Sequence, residues 1–306
     1  MDLFQIIKDI EKVDPEVYER FDTRRRAFHN LSGLGRKLTA AMLPGVLTAM
    51  FSRAYGQTGT LPTAIADVLN LALKLEYLEK YFYESALATV AFPNTDARQA
   101  IQIILNDENG HIATLRSALG SQAIPDPGRA TFDYTGSRGG ERAPLFPDVL
   151  TNFTTFITVS QSFVDTGVRA YKGGAPILMP NKPILETALN IHSVEARHSS
   201  RVRSLRRGGA ASTNAPKSWI SGDEGYSAVA NAPTTPLGVG LRPYGPGNPA
   251  TTYPIESNVT QAGVNIQTTS NITALAASES FDEPLDPATV MMIARNFVVR
   301  TSTIFG

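Results

Sequence analysis

The chain has 306 residues, 42% hydrophobic and 18% charged, enough to bury one substantial core or two small ones. Lysine plus arginine (28) balances aspartate plus glutamate (28), so no global field draws in nucleic acid or an anionic membrane, and no nucleic-acid partner is expected. The absence of cysteine excludes disulfides, thiolate metal sites, iron–sulfur clusters and thiol nucleophiles, and leaves Asp, Glu and four His as the only metal ligands.

Residues 1–56 read as a helical leader. Within it "TRRRAFHNL" (23–31) precedes the apolar run "LTAAMLPGVLTAMF" (38–51), a pattern that resembles a twin-arginine export signal. As a working signal it sends the protein to the periplasm or cell envelope, where envelope association becomes available. The run is too short to cross a bilayer, so no integral transmembrane span is expected. Arg36 and Lys37 abut it, however, and an amphipathic helix packed on the main domain of a cytoplasmic protein explains the same residues. Both readings stay open.

Four segments with helical periodicity follow, assigned to a bundle domain over 57–208. The first, about 61–91, has the inward stripe Leu69, Ala72, Leu73, Glu76, Glu79, Tyr83 and Leu87. The second, about 95–119, is capped by Asn94, carries Ile101, Ile104, Glu108, His111 and Leu115 inward, and stops at Gly120. A linker rich in Gly and Pro spans 121–148. The third helix, about 147–172, turns Phe153, Phe156, Ser160, Val164, Gly167, Val168 and Tyr171 inward and ends at Gly173-Gly174. The fourth, about 181–207, shows Ile184, Ala188, Ile191, Glu195, His198 and Val202. Its basic end, "RHSSRVRSLRR" (197–207), complements the helix dipole.

Two short connections and one long crossover predict an all-α, ferritin-like four-helix bundle with extra N- and C-terminal helices. Residues 209–284, rich in Gly, Pro, Ser, Thr and Asn, are expected to wrap the bundle through turns and short strands. Trp219, Tyr226, Leu237, Tyr244, Tyr253, Ile255 and Val264 are the candidate anchors. A last helix over 285–302, within a segment 285–306, starts from an Asp286 cap and Pro287.

Two of the four His stand in Glu-x-x-His pairs, Glu108/His111 and Glu195/His198, on the inward stripes of different helices. Three-residue spacing projects both side chains of a pair from successive turns of one face. A buried carboxylate without a partner costs several kcal/mol, so each pair either ligates a metal or joins a buried hydrogen-bond network. The metal reading follows the ligand logic of dinuclear carboxylate bundles: one Glu from each of two helices and a Glu-x-x-His from each of the other two. Glu76 is the lone Glu of the first helix, with Glu79 as the alternative one turn on and Tyr83 placed to support the site. Iron or manganese, as one or two ions, suits this donor set. His192, three residues before Glu195, is a candidate extra ligand but reads more simply as an ordinary flank residue, and Asp107 reads as solvated.

The segments "LNLALKLEYLEKYFYESAL" (69–87), "NDENGHIATLRSAL" (106–119), "FVDTGVRAY" (163–171) and "ALNIHSVEARHSSRVR" (188–203) resemble, in this order, the ferritin-like proteins of bacterial envelopes, a family associated with desiccation and stress. In that family the third helix usually reads Glu-Asp-x-Gly-Val-x-Ala-Tyr, whereas this chain has Val164 where the resemblance implies an inward Glu. Asp165 and Gln161 are the nearest polar substitutes, leaving five ligands and an unsettled sixth. Two functions compete. One is a metal protein with oxidase or ferroxidase-like chemistry. The other is a metal-free structural or stress-associated scaffold acting through self-assembly, as a homo-oligomer, or through the envelope.

Overall fold

Two helical hairpins account for the architecture. The computed structural model describes residues 60–209, 212, 216–222 and 243–306. Within these, α1 (Thr63–Thr89) pairs with α2 (Thr95–Leu119), and α3 (Phe153–Leu178) pairs with α4 (Lys182–Arg206). The hairpins close into a bundle through α1 against α3 and α2 against α4. The expectations placed on residues 1–56, and on Tyr226 and Leu237, lie outside the described residues. Among the described residues, no helix is long and apolar enough to cross a membrane.

Local chemistry sets most helix starts. Asn94 accepts a hydrogen bond from Ala97 N (2.8 Å), Asn152 from Thr154 N (2.9 Å) and Asn181 from Ile184 N (3.4 Å), each satisfying a backbone donor that the first turn would leave unpaired. Gly120, at φ 55°, closes α2. The crossover 120–152 is organised by Asp133, which accepts from Thr135 N, Ser137 Oγ and Gly139 N. Beside it Phe82, Phe163 and Phe297 form an aromatic core, with Phe163 edge-on to both neighbours at 4.9 and 4.7 Å.

Three expected boundaries move. α3 begins at Phe153 because 148–152 is a separate turn, with Asn152 N bonded to Asp148 O (2.8 Å). At the other end Gly173 and Gly174 do not stop the helix; they let other chain segments approach it. A Cβ on Gly173 would stand 1.9 Å from Leu285 O, and one on Gly174 2.8 Å from Val68 Cγ1. The C-terminal helix, α7, covers only Pro287–Ala294, capped by Asp286 as expected. A 3-10 turn (Arg295–Phe297) follows, and Val298 then bridges antiparallel to Phe132. That pairing takes the β-branched Val298 and Val299 out of the helix.

The covering segment contains a two-residue hairpin, β1 (Thr260–Gln261) and β2 (Val264–Asn265), and the short helices α5 (Ile266–Ser270) and α6 (Ala274–Ser278). Of the expected apolar anchors among the described residues, only Tyr244 is buried; Tyr253 is half-buried, and Trp219, Ile255 and Val264 are exposed. Two fully buried arginines fasten the cover instead. Arg169 of α3 donates to the carbonyls of Pro243, Gly245 (3.0 Å), Pro254 (3.0 Å) and Glu283 (2.8 Å), and faces Glu256 at 2.7 Å. Arg203 of α4 donates to Trp219 O (3.0 Å) and pairs with Asp165 at 2.5 Å. A guanidinium's fixed fork of donors suits such a cage of carbonyls.

Candidate metal centre

The four inward stripes meet in one polar cluster. On α1, Glu76, Glu79 and Tyr83 share a face at helical spacing and are all buried. Glu108 and His111 face them from α2, and Glu195 and His198 from α4. His111 Nδ1 lies 3.1 Å from Glu76 Oε2, 3.2 Å from Glu108 Oε2 and 3.1 Å from Glu195 Oε1. His198 Nδ1 lies 3.2 Å from Glu108 Oε1 and 3.5 Å from Glu195 Oε2. Each of these two carboxylates therefore turns one oxygen to each imidazole.

These contacts leave hydrogen-bonding capacity unused. Seven buried side-chain polar atoms lack a hydrogen-bond partner among the described residues, and four belong here: Glu108 Oε1, both oxygens of Glu195, and His198 Nδ1. They are close to neighbours without the direction a hydrogen bond requires, so their lone pairs converge on shared space. One donor atom from each of Glu76, Glu108, His111 and Glu195 falls within 4.8 Å of the others, a set that could hold a metal ion. Oxygen and imidazole donors without thiolate suit a hard or borderline cation.

Electrostatics shows how the cluster behaves without a cation. Burial, with repulsion from Glu108 and Glu195, holds Glu79 well above the usual carboxylate range. Burial also raises Glu76, against the pull of His111. Burial opposes charge on His111 and His198, but the surrounding carboxylates outweigh it, led by Glu76 for His111 and Glu195 for His198, and raise both. The same imidazoles hold Glu108 below its ordinary value although burial opposes them. Protons thus occupy, in the metal-free state, the places that cations would compete for.

Around the cluster, two phenols act as supports. Tyr171 Oη donates to Glu76 Oε1 at 2.5 Å, and Tyr83 Oη donates to Glu79 Oε2 at 3.2 Å while touching Ser160 Oγ at 3.0 Å. Asp107 has a role that its flank position concealed: it sits 3.1 Å from His198 Nε2. A carboxylate only accepts, so Nε2 carries a proton, and Nδ1 is the nitrogen left to offer a lone pair to the cluster when a cation displaces its proton.

The third helix contributes no carboxylate. Ser160, Val164, Gly167 and Tyr171 form its buried inward stripe, and Val164 stands between a residue touching Tyr83 and one facing Glu79 and Glu195. The two polar substitutes point elsewhere. Asp165 accepts from Arg203 (2.5 Å), Ser199 (2.6 Å) and Tyr244 (2.7 Å), and Gln161 is bound to Tyr244 and Arg206. Both belong to the network that fastens the cover. His192 also turns away, reaching the Val168 backbone, and burial depresses it towards the neutral form.

A family model for the ferritin-like domain matches residues 64–207, from the start of α1 to just past α4. No curated protein and no solved structure gives a match. Helix pairing, the long crossover and the family match agree: residues 64–207 of this chain are a ferritin-like domain with a buried Glu/His cluster between its helices.

Proposed function

We propose that the cluster is a metal centre for iron or manganese, with Glu76, Glu108, His111, Glu195 and His198 as ligands. The observation that carries this reading is the convergence of four buried ligand atoms from α2 and α4 that face one another at 3.1–3.5 Å without an aligned hydrogen bond. Bound iron or manganese supplies one-electron redox chemistry towards dioxygen, peroxide or, for iron, its own Fe(II) form.

The chain's own residues prepare the site. Asp107 fixes the His198 ring and its tautomer, and Tyr171 orients Glu76 by holding one carboxylate oxygen. Val164 and the stripe around it wall the site on the α3 side, so water reaches it chiefly from elsewhere. Asp107, with 44% of its side chain exposed, marks an edge open to solvent. Together with the sequence resemblance to envelope stress proteins, this supports a role in metal-dependent redox protection.

Titration of the metal-stripped chain with Mn(II), followed by electron paramagnetic resonance, tests the reading. Stoichiometric uptake is expected, weakened at least ~10-fold by His111→Ala, since even an outer partner of a ligand is worth about that much. No uptake by the unaltered chain would leave a metal-free, proton-balanced scaffold as the function.

A further inference from the structure

The donor atoms divide into two halves. Around His111 Nδ1 stand Glu76 Oε2, Glu108 Oε2 and Glu195 Oε1, all within 3.2 Å. Around His198 Nδ1 stand the remaining oxygens of the shared carboxylates, Glu108 Oε1 and Glu195 Oε2. The first half has a carboxylate of its own, Glu76, whereas the second receives none from α3 because positions 164 and 167 are Val and Gly. We propose that Glu79 fills this place: the site holds two ions, and α1 supplies the private carboxylate of both. This inference rests on the metal reading of the cluster.

Three observations carry it. The first is position. A Cβ built on Gly167 would lie 3.6 Å from Glu79 Oε1 and 3.7 Å from Glu195 Oε2, so both oxygens border one small space, and Glu195 Oε2 is the oxygen turned to His198. The absence of a side chain at Gly167 leaves room for Glu79 to reach across from α1.

The second is a matched support. Tyr171 holds Glu76 by Oε1, leaving Oε2 at the His111 half. Tyr83 holds Glu79 by Oε2, leaving Oε1 at the Gly167 space. Each α1 carboxylate thus has one oxygen held by a phenol and the other free to face inward, Glu76 Oε2 at His111 and Glu79 Oε1 at the Gly167 space beside Glu195 Oε2.

The third is charge. Glu76, Glu79, Glu108 and Glu195 are all at least 95% buried, and ionised they carry four negative charges among them. Two divalent cations with neutral imidazoles cancel those charges, whereas with a single ion the other two must be neutralised by protons.

The test is Mn(II) titration of the full chain and of Glu79→Gln, read by bound metal per chain and by paramagnetic resonance. The unaltered protein should bind two ions and give the broadened spectrum of an interacting pair. Glu79→Gln should bind one, with the six-line spectrum of isolated Mn(II), and should fold at least as stably without metal because it removes a buried, repelled carboxylate. Tyr83→Phe is the second variant: it should weaken the second ion by about tenfold and leave the first unchanged. Two ions retained by Glu79→Gln, or only one bound by the unaltered chain, would overturn the assignment of Glu79 while the metal reading stood. No ion bound by the unaltered chain would instead overturn the metal reading itself.

Discussion

Replacing Gly173 by alanine tests how the C-terminal segment is joined to the bundle. The added Cβ would meet Leu285 O at 1.9 Å and Leu285 C at 2.9 Å. Both are backbone atoms, and Leu285 N is itself bonded to Arg169 O (3.1 Å), so no side-chain rotation relieves the clash. The segment must retreat by roughly 1 Å or more to reach ordinary contact distance, loosening the carbonyl cage around Arg169. Overpacking costs about 1–3 kcal/mol, and backbone displacement puts this case at the top of that range or above it. Alanine's helix-propensity gain over glycine, about 1 kcal/mol, offsets part of the cost. The net loss of ~2 kcal/mol corresponds to a fall in Tm of about 4–8 °C for a domain of this size. Gly167→Ala is the matched control, because its Cβ makes only ordinary contacts at 3.6 and 3.7 Å and its Tm should hold or rise. Thermal unfolding of both variants, metal-free and followed by circular dichroism, decides the matter. Gly173→Ala as stable as the parent, or the reverse ranking of the two, would refute the close-approach account.

Asp107→Ala should reduce Mn(II) affinity by about tenfold, the low end for a residue that orients a ligating histidine, because its carboxylate is partly exposed; unchanged affinity in equilibrium titration would remove it from the site. Asp165→Asn leaves the Arg203 guanidinium buried opposite a neutral group and should cost about 3–5 kcal/mol in urea unfolding without altering the metal bound per folded chain. A drop in that stoichiometry would return Asp165 to the ligand set. For pH, the raised His111 and His198 stabilise the metal-free fold below their ordinary value of 6.5, and that contribution disappears as pH rises through their folded values. The raised Glu76 and Glu79 act in the same direction, since the fold favours their protonated forms from 4.5 upward. The Tm of metal-free protein should therefore fall from neutral to alkaline pH while the increment from added Mn(II) grows. A metal-free Tm that rises over that range would contradict the electrostatics of the cluster.

The cluster was legible because its signal is local: a carboxylate and an imidazole three apart on an otherwise apolar stripe can be recognised without knowing what lies opposite. Asn94 and Asp286 were legible as caps for the same reason. What the sequence concealed depends on partners far along the chain. Gly173-Gly174 has the form of a helix stop, and only the approach of Leu285 and Val68 shows it to be a packing joint. Arg203 sits in a basic run that suits a helix end, yet Asp165 and Trp219 O draw it fully inside. Asp107 belongs to the flank of α2, and its bond to His198 exists only because α4 packs alongside. The last helix stops early because Phe132, from the crossover, claims Val298 for a strand-like bridge. At position 164 the missing carboxylate was visible, but Asp165 and Gln161, the nearest in sequence, were the natural substitutes to consider; Glu79 lies across the bundle on another helix.

Metal binding by the cluster is tested most directly by element analysis of the protein purified from cells without added metal, compared with the double variant Glu108→Ala/Glu195→Ala. Iron or manganese near stoichiometric amounts in the parent, lost in a variant that remains folded, is the predicted result. A parent free of metal that takes up none on reconstitution, or a variant that keeps its full complement, would contradict it.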